Sequence, residues 1–251
     1  VTDTAPLLQS RDLSLTYAGS PAPALNQVSL SLCPGELCGL IGPNGAGKTS
    51  LISVFTTLLR PDKGSLLIAG IDALKNPSAV RAKIGLVPQD LALYDKLTGL
   101  ENLCYFGRMY GLKRPLLQEK AKYYLEMFGL YDKRHRLVAT YSGGMKRRIN
   151  LIVGIIHDPE LLFLDEPTVG IDAHSRHMIM EKLDALNQRN MAMLYTSHYL
   201  EEVERLCRRI AIIDEGRIIA EGTPQNLLAE AKGCGDLGAL FLQKTGEQLR
   251  E

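Results

Sequence analysis

The chain has 251 residues, 45% apolar and 23% charged, which is long and apolar enough to bury the core of one large domain and excludes a disordered polypeptide. Its 29 Lys and Arg nearly cancel its 28 Asp and Glu, leaving a net charge of +1, which excludes an overall electrostatic footprint for nucleic acid or an anionic membrane. No apolar run approaches the roughly 18 residues of a membrane span, and the opening residues, with Asp3 and Arg11 flanking no apolar segment, predict no secretory leader.

In chain order, residues 13–17 and 25–32 alternate like half-exposed strands, separated by a turn at Gly19, Ser20 and Pro21. Residues 37–41 read as a short buried strand that runs into a glycine-rich segment, and residues 65–69 and 84–87 as two further strands. Strand patterns then cease from Leu97 to about His157, where Leu117, Ala121, Tyr124 and Phe128 recur at helical spacing. Strands return at 161–164, 192–196, 210–213 and 217–220, with Ile179, Leu183 and Leu186 marking a helix face between the first two. This order predicts an α/β domain with a mainly parallel sheet covered on both sides and a helical insertion. The five cysteines, Cys33, Cys38, Cys104, Cys207 and Cys234, have no metal-ligand spacing, so reduced and mostly packed thiols are expected.

Gly42-Pro43-Asn44-Gly45-Ala46-Gly47-Lys48-Thr49 fits the G-x-x-x-x-G-K-[ST] phosphate loop, with a strand before it and a helix after it. Glycines let successive N–H groups turn toward phosphate oxygens, and the helix beginning near Lys48 adds its positive dipole end. Lys48 is placed to reach the β- and γ-phosphates of a nucleotide, and Thr49 offers a hydroxyl to Mg²⁺. A second strand ends in Asp165-Glu166. Ligands of such sheets collect at the carboxyl ends of strands, which assigns Asp165 to Mg²⁺ and Glu166 to the water that attacks the γ-phosphate.

Between these motifs lies Tyr141-Ser142-Gly143-Gly144-Met145, which resembles the LSGGQ signature of ATP-binding-cassette (ABC) ATPases. The other members of that family's set follow in its order. Tyr17 stands where the family has an aromatic that stacks on adenine, Gln89 follows a strand like the glutamine loop, Asp172 resembles the D-loop aspartate, and His198 the switch histidine. The resemblance implies a P-loop NTPase fold: a RecA-like, mainly parallel core, an antiparallel β subdomain, and an inserted helical subdomain at about 90–158. The ATPase domain then covers 1–230, with a short helical tail over 231–251. It implies Glu166, His198, Lys48 and Gln89 as catalytic residues. It places ATP on Tyr17, residues 42–49, Ser50, Ser142, Gly143, Gly144 and Asp172, and Mg²⁺ on Thr49, Gln89 and Asp165. Tyr141 and Met145 depart from the family's Leu and Gln, and Met cannot donate the hydrogen bond that Gln does.

The resemblance further implies a second ATPase subunit packed head to tail, so that each signature faces the other chain's ATP, and a separate transmembrane permease that docks near Asp90 to Tyr110. Leu91, Leu93, Tyr94, Leu103, Tyr105 and Phe106 are apolar enough to line that docking groove, and any one of them reads equally as core of the helical subdomain. The segments around the signature, Asp165 and His198 are similar to the bacterial export-type branch, as is the ending from Phe241 to Arg250, which is expected of a complete subunit. The implied location is the cytoplasmic face of the membrane. The alternative, a soluble ABC ATPase acting on nucleic acid or the ribosome, calls for long coiled coils or a second cassette that this sequence does not have, so no nucleic-acid partner is expected. A GTPase switch would carry an Asn-Lys-x-Asp motif, which is also missing. Lys146, Arg147 and Arg148 are expected to be solvent-facing or locally paired, and Met178, Met180, Met191 and Met193 to fill the core.

Overall fold

Alternating residues of the long strands sort into two separate cores, and this sorting defines the layers of the domain. In the computed structural model, which describes residues 5–230 and 235–246, ten strands form two sheets. Gly233, Cys234 and Arg250 lie outside the described residues. An antiparallel sheet of order β2-β1-β4-β5 is built from β1 (Leu8–Leu15), β2 (Leu25–Leu32), β4 (Lys63–Ile68) and β5 (Ile71–Asp72). The larger sheet has the order β10-β9-β3-β8-β7-β6, from β3 (Leu37–Ile41), β6 (Ile84–Val87), β7 (Leu161–Asp165), β8 (Ala192–Thr196), β9 (Arg209–Asp214) and β10 (Arg217–Gly222). Its pairings are parallel except for the β9–β10 hairpin.

Every residue of β3, β7 and β8 is buried. Leu162 and Leu164, Met193 and Tyr195, and Ile210 and Ile212 face one core. Leu161 and Phe163, Ala192 and Leu194, and Ala211 and Ile213 face the other, with the antiparallel sheet and α1 (Lys48–Phe55). Both faces are therefore dry, as continuous apolar strands require. The first core extends into helices inserted between β6 and β7: α3 (Gly99–Met109), α4 (Arg114–Met127) and α5 (Gly143–Ile155). Short α2 (Pro77–Arg81) precedes β6. Beyond the insertion come α6 (Ala173–Asn187), α7 (Leu200–Leu206), α8 (Pro224–Glu230) and α9 (Leu237–Thr245). Leu237, Leu240 and Phe241 of α9 are buried in the same core, so this tail helix is packed onto the domain.

The first strand begins earlier than its sequence pattern predicts and ends before Tyr17. Asp12 has φ +49° and the pairing register shifts between Ser10 and Leu13, so a bulge interrupts the alternation that marks a strand. Ser10 is buried beyond the bulge because its hydroxyl is satisfied by the backbone of Leu30. Leu103 belongs to the interior, 0% exposed, and is unavailable to a partner, because α3 turns that face toward α4 and α5. Of the methionines, Met180 and Met193 are buried, while Met178 and Met191 are half-buried.

Candidate active site

The parallel strands aim their carboxyl ends at one place, and most of the predicted residues stand there. Residues 42–47 link β3 to α1. Gly47 is the N-cap of α1 at φ +107° and supplies no side chain to the first-turn N–H groups, which have no intrahelical carbonyl either. A Cβ on Gly47 would come within 2.6 Å of the Ala24 carbonyl, and one on Gly42 within 2.2 Å of the Ile213 carbonyl. The loop is thus wedged between strands in a shape that only glycine permits. The β9–β10 turn braces it: the Gly216 N–H donates to Ala46 O at 2.9 Å.

Lys48 is buried, and its ammonium donates to the carbonyls of Gly42 at 2.7 Å and Pro43 at 2.9 Å. An ammonium has three N–H donors, so one is left for a phosphate oxygen. Burial lowers its pKa, while Glu166 and Asp165 oppose that shift. The Thr49 hydroxyl donates to Asp165 at 3.0 Å. Asp165 is pushed up by burial against the hydrogen bonds from Thr196 and Thr49 that favour its charged form. This buried carboxylate with a hydroxyl beside it is an all-oxygen donor set, which suits a hard divalent cation such as Mg²⁺.

Glu166 follows directly with φ +47°, a strained left-handed conformation for a side-chain-bearing residue. Its N–H donates to Thr196 Oγ1 at 3.0 Å, and the Thr196 hydroxyl in turn donates to Asp165 at 2.8 Å. The register that sets Asp165 opposite Thr196 makes this possible. The Glu166 carboxylate lies 3.2 Å from His198 Nδ1 and accepts from Gln89 Nε2 at 3.3 Å. Tyr17 is 45% exposed at the mouth of the loop, its hydroxyl 3.0 Å from Ser50 Oγ. Tyr17, residues 42–50, Gln89, Asp165, Glu166 and His198 thus form one connected cluster.

Ser142, Gly143, Gly144 and Asp172 form another. Ser142 caps α5 by accepting the Met145 N–H at 3.3 Å. Gly143 is exposed, while Gly144 packs against Ser175. Asp172 caps α6, accepting the Ser175 N–H at 2.9 Å and the Ser175 hydroxyl at 2.8 Å, and these bonds hold its carboxyl below the usual range. Among the described residues no hydrogen bond or ion pair joins Ser142 or Gly143 to the phosphate loop.

The basic run beside the signature is only partly as expected. Lys146 pairs with Asp95 at 2.8 Å. Arg147 and Arg148 are half-buried and serve main-chain carbonyls instead of solvent. Arg147 donates to Gln89 O and to Val169 O, the latter at 3.1 Å, and so ties α5 to both the glutamine loop and the segment before Asp172. Arg148 donates to Phe128 O at 2.9 Å and to Gly144 O at 3.2 Å. Sequence reading also missed Thr196; the one signal for it is that it ends a strand neighbouring the strand that ends in Asp165.

The family model for ABC transporters matches residues 25–169. The chain belongs to the ABC transporter family. It is an ATP-binding domain of the export-type branch and an ATPase. This ABC domain is 44% identical over 227 residues to the linearmycin resistance ATP-binding protein LnrL of Bacillus subtilis (strain 168), covering 90% of this chain and 72% of the relative. It is 44% identical over 212 residues to the doxorubicin resistance ATP-binding protein DrrA of Mycobacterium tuberculosis (strain ATCC 25618 / H37Rv), covering 84% of this chain and 64% of that one. A solved structure of the ATP-binding subunit of an ABC transporter superimposes with a TM-score of 0.85 at 28% identity, covering 94% of this chain and 98% of that one. Among the described residues no helix is long and apolar enough to cross a membrane.

Proposed function

We propose that this domain hydrolyses ATP in a head-to-tail pair to drive outward transport through a separate transmembrane permease, from the cytoplasmic face of the membrane. The observation that carries this reading is the division of the predicted residues into two clusters. One gathers the groups expected to hold a triphosphate on its own chain and to activate water, and the other is a helix N-terminus beside an exposed glycine, with no hydrogen bond or ion pair among the described residues from Ser142 or Gly143 to the phosphate loop. A signature that does not serve its own chain's phosphate loop is suited to serve a second chain's.

In this reading the loop N–H groups and Lys48 hold the β- and γ-phosphates, and Tyr17 stacks on the base. Thr49, Asp165 and Gln89 would hold Mg²⁺, which would offset phosphate charge and favour departure of the leaving oxygen. Glu166 accepts a proton from the attacking water as the bond from the γ-phosphorus to the bridging oxygen breaks and ADP leaves. His198 holds the Glu166 carboxylate in place, and Gln89 senses both the carboxylate and the docking surface that follows it. That surface carries Leu91, Tyr94, Tyr105, Met109 and Tyr110, all partly exposed, and a permease segment is the fitting occupant. The resistance functions named for the relatives support export as its direction.

The test is complementation between two inactive chains. Lys48→Ala and Ser142→Arg, each inactive alone, should regain one composite site when mixed, because one pairing combines an intact Lys48 with an intact Ser142. ATP hydrolysis that stays at the level of either variant alone refutes the head-to-tail arrangement.

A further inference from the structure

One buried carboxylate outside the reaction residues touches the backbone segments on both sides of the Glu166–His198 pair. Glu202 lies on α7 and is 2% exposed. Its Oε2 accepts from the Ser197 hydroxyl at 2.6 Å and from the Tyr195 phenol at 2.6 Å. The Thr168 hydroxyl also donates to it, 2.8 Å from Oε1. Arg176 Nε stands 3.4 Å from Oε1, with its guanidinium 4.2 Å over the Tyr199 ring. A carboxylate this deep is tolerated only when its lone pairs are satisfied, and here three hydroxyls donate to it while the Arg176 cation stands within ion-pair distance.

The chain positions of these partners matter more than their number. Ser197 immediately precedes His198, and its oxygen also accepts the N–H of Tyr199, the residue that follows, at 3.0 Å. Thr168 lies two residues beyond Glu166, at the start of the segment that leads to Asp172. Tyr195 is in β8, in register with Leu164 of β7. The Glu202 carboxylate therefore connects the switch-histidine loop, the loop after Glu166 and the helix capped by Asp172. Burial, and then the neighbouring Glu202 charge, raise the Tyr195 phenol well above its ordinary value.

We propose that Glu202 is a positioning residue for ATP hydrolysis: by holding Ser197 and Thr168 together it keeps the His198 ring 3.2 Å from the Glu166 carboxylate. The inference rests on the proposed roles of Glu166 and His198. A purely structural Glu202 would lower stability while leaving each folded molecule's turnover intact. A positioning Glu202 acts on kcat, and only through His198.

The experiment uses the full chain with ATP and Mg²⁺, and compares Glu202→Gln, His198→Ala, their combination, and Glu166→Gln. Glu202→Gln is expected to lower kcat about tenfold to a hundredfold, the cost of a small misplacement of reacting groups, with KM for ATP unchanged. The combined variant should be no slower than His198→Ala alone, because the carboxylate then has no ring left to place. Ser197→Ala removes one arm and should show a smaller loss with the same non-additivity, which serves if Glu202→Gln does not fold. Wild-type kcat per folded chain in both Glu202→Gln and Ser197→Ala, or losses that multiply with that of His198→Ala, overturns the inference while leaving the site reading intact. Wild-type turnover in Glu166→Gln overturns the site reading, and the inference with it.

Discussion

Gly42 and Gly47 of the phosphate loop and Gly143 of the signature meet opposite surroundings in this ABC domain. Gly42 and Gly47 are enclosed, with carbonyls of Ile213 and Ala24 where a Cβ would go, and strand ends converge around them. Gly143 opens onto solvent, with the nearest atom 3.8 Å from where its Cβ would stand. The first segment is shaped by its own chain. The second is only fastened in place, by the Ser142 cap and by Arg147, and presents its free side outward. A glycine held by neighbours shapes a site, whereas a glycine left open keeps room for something that arrives.

The sharpest test of the first region is Glu166→Gln. It should keep ATP affinity and slow turnover by about 10²-fold or more, the usual scale for a lost general base, read by phosphate release. Wild-type turnover would make the strained strand end an accident of folding. Next in size, Lys48→Ala removes a charged donor to phosphate. Its expected cost is about 1.5–3 kcal/mol, roughly tenfold to a hundredfold in ATP affinity by calorimetry. Unchanged affinity would mean that the backbone cradle works alone.

The contrast between closed and open glycines is sharpened by one pair of substitutions. Gly144→Ala drives a methyl to within 2.2 Å of Ser175 Oγ and should destabilise by about 1–3 kcal/mol, seen as a lower Tm. Gly143→Ala should leave stability within about 1 kcal/mol of the parent while lowering ATP hydrolysis, since it crowds only the outward face. Equal effects on stability at the two positions would erase the distinction.

The smallest effect concerns the Asp172 cap. The Ser175 N–H, then the Ser175 hydroxyl, lower its pKa from the ordinary 3.8, so the folded chain binds fewer protons than the unfolded one just below that value. Its contribution is complete above pH 3.8 and is lost as pH falls through the lower folded value. The Tm gap between wild type and Asp172→Ala should therefore be constant near neutrality and close in acid. A gap that widened in acid would contradict the cap.

Much of this was legible along the chain because it depends on short-range pattern. β3, β6 and β8 have the predicted bounds, since buried parallel strands read as continuous apolar runs between turns. The start of β1 was hidden by its bulge. Leu103 reads equally as docking surface or as subdomain core, because helical periodicity gives a face without saying what covers it. Arg147 and Arg148 read as solvent-facing or paired with nearby acids, because charge predicts exposure or an ion pair until a main-chain carbonyl is found within reach.

The sequence by itself determined the phosphate loop, the Asp165-Glu166 strand end and the signature, because glycine conformations, helix caps and strand termini are properties of a few consecutive residues. Only the tertiary structure decided that Thr196 bridges Asp165 and the Glu166 backbone, that Arg147 ties α5 to the glutamine loop, and that Glu202 gathers Thr168, Tyr195 and Ser197. Those contacts join residues from different strands, loops and helices, and sheet register and helix packing, which no local pattern encodes, bring them within hydrogen-bond reach.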